Sequence, residues 1–139
     1  MKFKGSILVY SLIVLAAMLA VVTALSFTTI ISKKSASTTE FSVQSLQTAD
    51  SGLQLTAKKI SNNSTNLVSV SFSGCDDSGG TAMIPNQSDA GAGTYDLFFY
   101  KADRVTPVMC ADLVSSIGMV KSVGTYKNTV RAVSAMVTP

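Results

Sequence analysis

The sequence contains no histidine and no tryptophan, and only two of its 139 residues are cysteines. Without histidine, the chain lacks the commonest general base and the commonest metal ligand. A zinc site needs four ligands, which two distant cysteines do not supply. The sequence also lacks a phosphate-binding glycine loop and a G-x-S-x-G motif. We therefore predict a protein that is not an enzyme and that uses no cofactor and no metal.

Charged residues are few, with 11 basic and 8 acidic side chains and a net charge of +3. The basic residues are dispersed and form no patch with interleaved aromatics, so no direct nucleic-acid binding is predicted. Asp76, Asp77 and Asp89 lie in a glycine-rich stretch, and carboxylates in such a loop are potential calcium ligands. The spacing of an EF-hand is missing, which favours solvated turn residues.

Acidic residues are absent before Glu40, and glycine and proline are absent from Ser6 to Ser51. Residues 6–32 carry no charge and exceed the roughly 20 residues that an apolar helix needs to cross a bilayer. The hydrophobic region of a signal peptide is shorter, about 7–15 residues. Lys2 and Lys4 precede this run and favour an N-terminus in the cytoplasm. We predict a single-pass helix in the cytoplasmic membrane, with the remainder of the chain outside.

The helical pattern continues beyond the apolar run, through residues 33–61. Its apolar positions thin out into one stripe with steps of three and four residues: Ala36, Thr39, Val43, Leu46, Ala49, Leu53, Ala57 and Ile60. The polar sequence SNNST at 61–65 is a suitable stop. We predict one continuous helix with an apolar half and an amphipathic half, the stripe of the latter packing against a sheet.

Residues 62–139 are predicted to form a globular domain with a small antiparallel sheet. Short apolar runs predict four strands, at Leu67–Ser73, 94–101, Met119–Tyr126 and Thr129–Val137. The last two form a hairpin with its turn at Lys127 and Asn128. The stretch between the first two strands, rich in glycine, serine and aspartate, is predicted to be a loop. The predicted fold class is therefore α+β, with a long N-terminal helix on a small sheet.

Two further predictions concern side chains of this domain. If it lies outside the cytoplasm, Cys75 and Cys110 are expected to form a disulfide. The aromatic side chains of the second strand could form an adhesive surface, but aromatics in short strands usually pack in a core. We favour the core for all four, which are Tyr95, Phe98, Phe99 and Tyr100.

The N-terminal sequence KGSILVYSLIVLAAMLAVV resembles the class III leader of type IV pilins and pseudopilins. The resemblance implies that residues 1–5 are a leader, which a prepilin peptidase removes by cutting between Gly5 and Ser6. The stretches STTEFSVQSLQTADSGLQLTAKKI and IGMVKSVGTYKNTVRAVSAMV are similar to the late helix and the last hairpin of minor subunits of the PilX/GspK type. No resemblance covers the loops in between.

One residue departs from the pattern of the family. Most major pilins carry a glutamate at the fifth mature position, where it neutralises the amine of a neighbouring subunit. Tyr10 occupies this position here. An unpaired charge in an apolar filament core would be costly, and tip-type minor subunits are the members that commonly lack the acid. The resemblance therefore implies a minor or tip subunit rather than the major subunit of a fibre.

The resemblance also implies partners. The expected partners are other pilin subunits, the prepilin peptidase and inner-membrane lipid before assembly, in a type IV pilus or a type II secretion-like filament at the cell surface. Helices would pack side by side, with Tyr10 on the assembly helix and small residues allowing close approach. Those small residues are Ser11, Ala16, Ala17, Ala20 and Ala24.

Two other interpretations of the N-terminus remain open. In the first, the chain keeps Met1 and is a membrane-anchored binding domain that never polymerises. In the second, a signal peptidase cuts after Ala24 and releases a small secreted domain. The second would leave Leu25–Ile31 as an exposed apolar tail prone to aggregation, so it ranks last.

Overall fold

A computed structural model of the chain describes residues 4–88 and 93–137, with side chains described from Ile7 onward. These residues form two α-helices and four strands in the order α1 (Lys4–Asn62), α2 (Val68–Ser71), β1 (Met83–Ser88), β2 (Thr94–Tyr100), β3 (Met119–Tyr126) and β4 (Thr129–Met136), with a 3-10 turn at Val114–Ser116. The chain divides into two compact units, residues 1–39 and 40–139. With one long helix and a single antiparallel sheet, the fold is α+β, as predicted.

The first helix, α1, has 59 residues and no interruption. Gly52 lies inside it without breaking it, because its backbone remains hydrogen-bonded in the helical pattern. The helix ends at the predicted stop, where the N–H of Asn63 donates to the carbonyl of Ile60 at 3.2 Å. The absence of glycine and proline from Ser6 to Ser51 thus predicted a continuous helix correctly.

The four strands form one antiparallel sheet in the order β1-β2-β3-β4. The hairpin of β3 and β4 is confirmed, since Tyr126 pairs with Thr129 across a two-residue turn. Lys127 adopts a positive φ of 51° in this turn. The aromatic strand β2 lies inside the sheet between β1 and β3, where both of its edges are hydrogen-bonded.

The prediction of a strand at Leu67–Ser73 is wrong. The segment contains the short helix α2, and only Leu67 forms an isolated bridge, to Leu113. Val68 and Phe72 are buried, whereas Val70 is 71% exposed. The two buried residues are four apart and therefore share a helical face, while strand alternation would have placed Val70 beside them. Seven residues are too few to separate these two periods from sequence.

The strand β1 lies in the segment that was predicted to be a loop. Pro85 and Asn86 caused this error, because both are typical of turns. In the structure they occupy an irregularity of the edge strand, where the register shifts between Ile84 and Gln87. Asn86 has a φ of 53°, and its N–H donates to the Asp96 carboxylate at 2.8 Å. A proline is tolerated there because an edge strand needs fewer ladder hydrogen bonds.

The part of α1 in the second unit packs on one face of the sheet, but through a different stripe from the one predicted. Its buried positions are Ser45, Ala49, Gly52, Thr56 and Ile60. Only Ala49 and Ile60 belong to the predicted apolar stripe, and Leu53 and Ala57 are half-buried.

Size, rather than hydropathy, explains why the predicted stripe is partly wrong. Val43 and Leu46 are each 47% exposed, although both are more apolar than the buried serine and threonine. A Cβ atom at Gly124 of β3 would contact the backbone of Ser45 and Ala49, and one at Gly52 would lie 2.5 Å from the Tyr95 ring. Helix and sheet approach so closely that only small side chains fit between them.

The hydrophobic core lies at the far end of this contact, around Ile60. It includes Val68 and Phe72 from the α2 segment and Phe99 from β2. The rings of Phe72 and Phe99 are 5.1 Å apart, in a tilted arrangement that is favourable for aromatic pairs. The half-buried side chains of Cys75 and Cys110 pack against the same cluster.

Candidate functional site

The sequence-predicted site lies at the start of α1. Gly5 and Ser6, the two residues of the predicted cleavage site, lie in the first turn of this helix. Lys2 and the side chain of Ser6 lie outside the described part of the molecule. From Ile7 to Ile31 all side chains are exposed within the chain, Tyr10 to 71%. In the described residues, α1 is the one helix long and apolar enough to cross a membrane.

Serine and threonine hydroxyl groups interrupt the apolar surface of this helix, and from residue 7 to 32 each of them has a backbone partner. Each serine and threonine from residue 7 to 32 donates a hydrogen bond to a backbone carbonyl three or four residues earlier, at 2.8–3.0 Å; these residues are Ser11, Thr23, Ser26, Thr28, Thr29 and Ser32. In hydrocarbon an unsatisfied polar group costs several kcal/mol. These serines and threonines therefore need no hydrogen-bond partner from outside the helix.

The predicted small residues do not share a single face of the helix. Ala16, Ala20 and Ala24 follow one another at four-residue spacing, which keeps them on one side and allows a neighbouring helix to approach closely. Ser11 precedes Ala20 by nine residues, or about two and a half turns, and so lies on the opposite side.

Tyr10, Ala17 and Ala24 form a second row, with a spacing of seven residues or about two turns. This row begins with the tyrosine that stands where the family carries its glutamate. From Ile7 to Thr39 the only charged side chains are those of Lys33 and Lys34, at the end of the apolar run. The apolar surface thus contains no internal charge.

The predicted disulfide is present in the second unit. Cys75 and Cys110 are bonded, with their Cα atoms 6.0 Å apart and a sequence separation of 35. The bond joins the segment after α2 to the segment after β2. Backbone hydrogen bonds support the same junction, since the N–H of Ser69 donates to the carbonyl of Cys110 at 3.0 Å.

Among the predicted loop carboxylates, that of Asp76 accepts a hydrogen bond within its own turn. The N–H of Ser78 donates to Asp76 Oδ1 at 2.9 Å, and this bond, together with the Ser78 hydroxyl, lowers the pKa of Asp76 below 3.8. Asp77 is exposed, and Asp89 lies outside the described residues. No group of three or more potential metal ligands occurs within residues 4–88 and 93–137.

The aromatic residues of β2 were predicted to be core residues, which is correct for only two of them. Tyr95 and Phe99 are buried beneath α1, at 7% and 0% exposure. Phe98 and Tyr100 are half-buried on the opposite face of the sheet, because successive side chains of a strand alternate. The alternation was visible in TYDLFFYK, but the hydrophobicity of all four aromatics masked it.

Comparison with known proteins adds no relative. No family model matches the sequence, and no curated protein or solved structure matches it at a significant level. The likeness to pilins thus depends on the quoted sequence stretches, together with an α+β arrangement that is consistent with a pilin-like fold.

Proposed function

We propose that this chain is a minor subunit of a type IV pilus or of a type II secretion-like filament. In this proposal a prepilin peptidase removes residues 1–5, and Ser6 becomes the N-terminus. The helix over residues 6–32 anchors the subunit in the cytoplasmic membrane before assembly. It then packs against the helices of other subunits, while the disulfide-bonded sheet domain lies outside the cytoplasm.

One observation carries this proposal, namely the continuity of α1 from Lys4 to Asn62. Its first part is apolar all round, whereas residues 45–60 pack on the sheet of the same chain. A cleavable signal peptide needs no helix that runs on into the mature domain. A subunit that keeps its apolar segment after processing does, because that segment must remain joined to the domain that it carries.

Three other features support the proposal. The row of Ala16, Ala20 and Ala24 provides a surface for close helix contact, which van der Waals packing favours in the absence of water. The disulfide fits a domain in an oxidising compartment outside the cytoplasm. The tyrosine at position 10 fits a minor subunit, because it leaves no buried carboxylate in need of a partner.

The N-terminal residue of the mature protein tests the proposal. The full chain is placed in membranes with and without a prepilin peptidase, and its intact mass is measured. We expect a start at Ser6 only when the peptidase is present. The Gly5→Ala variant is expected to keep Met1 in both membranes. Gly79→Ala serves as the control, since Gly79 has open space around it and lies far from the cleavage site in sequence.

The remaining outcomes decide between the alternatives. A wild-type protein that keeps Met1 in the presence of an active peptidase would identify an uncleaved, membrane-anchored binding domain. A start at Leu25 would show that an ordinary signal peptidase removes the apolar run. Normal processing of Gly5→Ala would also contradict the proposal, because a cut after the glycine would then not depend on that residue.

A further inference from the structure

A groove of about 260 Å³ opens on the face of the sheet that α1 leaves uncovered. Its floor is formed by Phe98 and Tyr100 of β2 and by Met83 of β1, which pairs with Phe98. Its wall is the turn that follows Cys75, and Asp76 and Ser78 line it. None of these residues belongs to the predicted assembly helix, so the groove lies outside the proposed packing of helix against helix.

The position of Asp76 beside the groove is fixed by the backbone. Its N–H donates to the carbonyl of Met83 at 2.8 Å, and the N–H of Met83 donates back to the carbonyl of Asp76 at 2.7 Å. The adjacent residue, Cys75, is held by its disulfide to Cys110. The carboxylate thus stands at one place on the rim, and the hydrogen bonds from Ser78 favour its charged form.

The chemistry of the groove favours a cation. Phe98 and Tyr100 are two residues apart on one strand and present their rings on the same face. The face of an aromatic ring attracts a positive charge, as does the Asp76 carboxylate. No lysine or arginine lines the groove. Lys121 pairs with Phe98 from the side of β3, opposite to the side on which Met83 lies.

The size of the groove favours a side chain over a larger ligand. Sites for drug-sized molecules have volumes of about 300–1,000 Å³, and this one is smaller. An arginine guanidinium can stack on an aromatic ring and reach a carboxylate with the same planar group. We propose that this groove binds a lysine or arginine side chain of a partner protein, between the rings of Phe98 and Tyr100 and the carboxylate of Asp76. The proposal is independent of cleavage and filament assembly.

An NMR titration tests this binding. The full chain, labelled with ¹⁵N, is held in micelles of a polyoxyethylene detergent, because a phosphocholine detergent would itself supply a cation. The probe is N-acetyl-arginine amide, and N-acetyl-norleucine amide is its uncharged counterpart. We expect saturable shifts at the amides of Gly79, Met83 and Tyr100 with the arginine probe alone.

Variants identify the groups that bind. Asp76→Asn is expected to weaken binding by about two- to fivefold, the range for an exposed ion pair. Tyr100→Leu is expected to weaken it by a similar factor, since one cation–π contact is lost. Asp77→Asn is the matched control: it removes the same charge from the next residue, which does not line the groove, and should leave the affinity unchanged.

Several results would overturn the proposal. Equal shifts with the norleucine probe would make the groove a general apolar surface. A further titration uses maltose as a sugar probe, and equal shifts there would make the groove a sugar site. Equal weakening by Asp76→Asn and Asp77→Asn would indicate a diffuse attraction to negative charge. The absence of saturable shifts with the arginine probe would leave the groove without this function. The amide spectrum outside the groove reports in each case whether the variant is folded.

Discussion

Gly124 of β3 lies against Ser45 of α1, so closely that a Cβ atom on the glycine would collide with the serine carbonyl oxygen and the Ala49 backbone. The obstruction is formed by backbone, which cannot swing aside as a side chain can. Substitution of Gly124 by alanine should therefore force the helix away from the sheet. We expect Gly124→Ala to reduce the free energy of unfolding by about 1–3 kcal/mol, as overpacking does.

Chemical denaturation of the full chain in detergent, followed by circular dichroism, measures this loss. Gly79→Ala is the control, because a Cβ atom at Gly79 meets no atom within 4 Å. It should leave the unfolding midpoint nearly unchanged. If Gly124→Ala matches the wild type as well, the helix and sheet can separate freely, and the close contact has no energetic weight.

Loss of the disulfide should destabilise the sheet domain strongly. Cys75 and Cys110 close a loop with a sequence separation of 35 residues. The chain-entropy estimate for such a loop is about 3–4 kcal/mol. The Cys75→Ser/Cys110→Ser double variant is expected to lose that amount of unfolding free energy. Reduction of the wild type by a phosphine should give the same value, and a loss below about 1 kcal/mol would show that other contacts already hold the junction.

Acid should destabilise the domain through Asp103. The Thr106 hydroxyl and N–H and the Val105 N–H donate to its carboxylate, and they lower its pKa below the ordinary value of 3.8. The unfolded chain therefore takes up a proton more readily than the folded one. The resulting stabilisation is present above about pH 4 and is lost as the pH falls through the lowered pKa.

Melting temperatures from pH 2 to pH 6 test this dependence. Asp103→Asn should melt below the wild type at pH 6, and the two should converge near pH 2. Asp77→Asn is the control, because no described residue donates a hydrogen bond to its carboxylate, and it should follow the wild-type curve more closely. A constant difference between wild type and Asp103→Asn at all pH values would contradict the assignment.

The row of alanines in the first half of α1 should govern contact between helices. Ala20→Leu places a bulky side chain in the middle of this row and should weaken the association of labelled chains in micelles, measured by energy transfer. Ser11→Leu makes a similar change in size on the opposite side of the helix and should have a smaller effect. Equal effects would mean that close contact is not confined to the face of Ala16, Ala20 and Ala24.

The helix and the final hairpin could be predicted from sequence because their determinants are local. An uninterrupted run from Ser6 to Ser51 leaves no residue that ends a helix. The two strands of the hairpin flank a short polar turn, which fixes their register. Strand β2 was found for a similar reason, since its aromatic and alternating sequence fits a pleated surface.

The two elements that were missed depend on contacts that their own sequence patterns do not indicate. Leu67–Ser73 forms a helical turn because Val68 and Phe72 both reach the core. In addition, the N–H of Val68 donates to the backbone carbonyl of Asp112 at 2.9 Å. Strand β1 exists because β2 offers an edge to which it can pair, despite Pro85. Asp112 is far from Val68 in sequence, so no local pattern could indicate that contact. β2 follows β1 closely, but Pro85 and Asn86 gave the β1 segment the composition of a turn.

The buried face of α1 illustrates a different limit. Hydropathy favours Val43 and Leu46, whereas the space left by Gly124 admits only residues such as Ser45 and Ala49. The glycine is about 80 residues away along the chain. A stripe of small residues in the helix and a lone glycine in a strand become informative only once the two are placed opposite each other.

The serines and threonines of the apolar run donate their hydroxyl hydrogen bonds to backbone carbonyls of the same helix. None of these groups requires a particular neighbour, whether acyl chain or side chain. A helix built in this way can exchange one set of neighbours for another without breaking a single hydrogen bond. In the proposed transfer from lipid into a filament, shape and contact area would then govern how this surface packs.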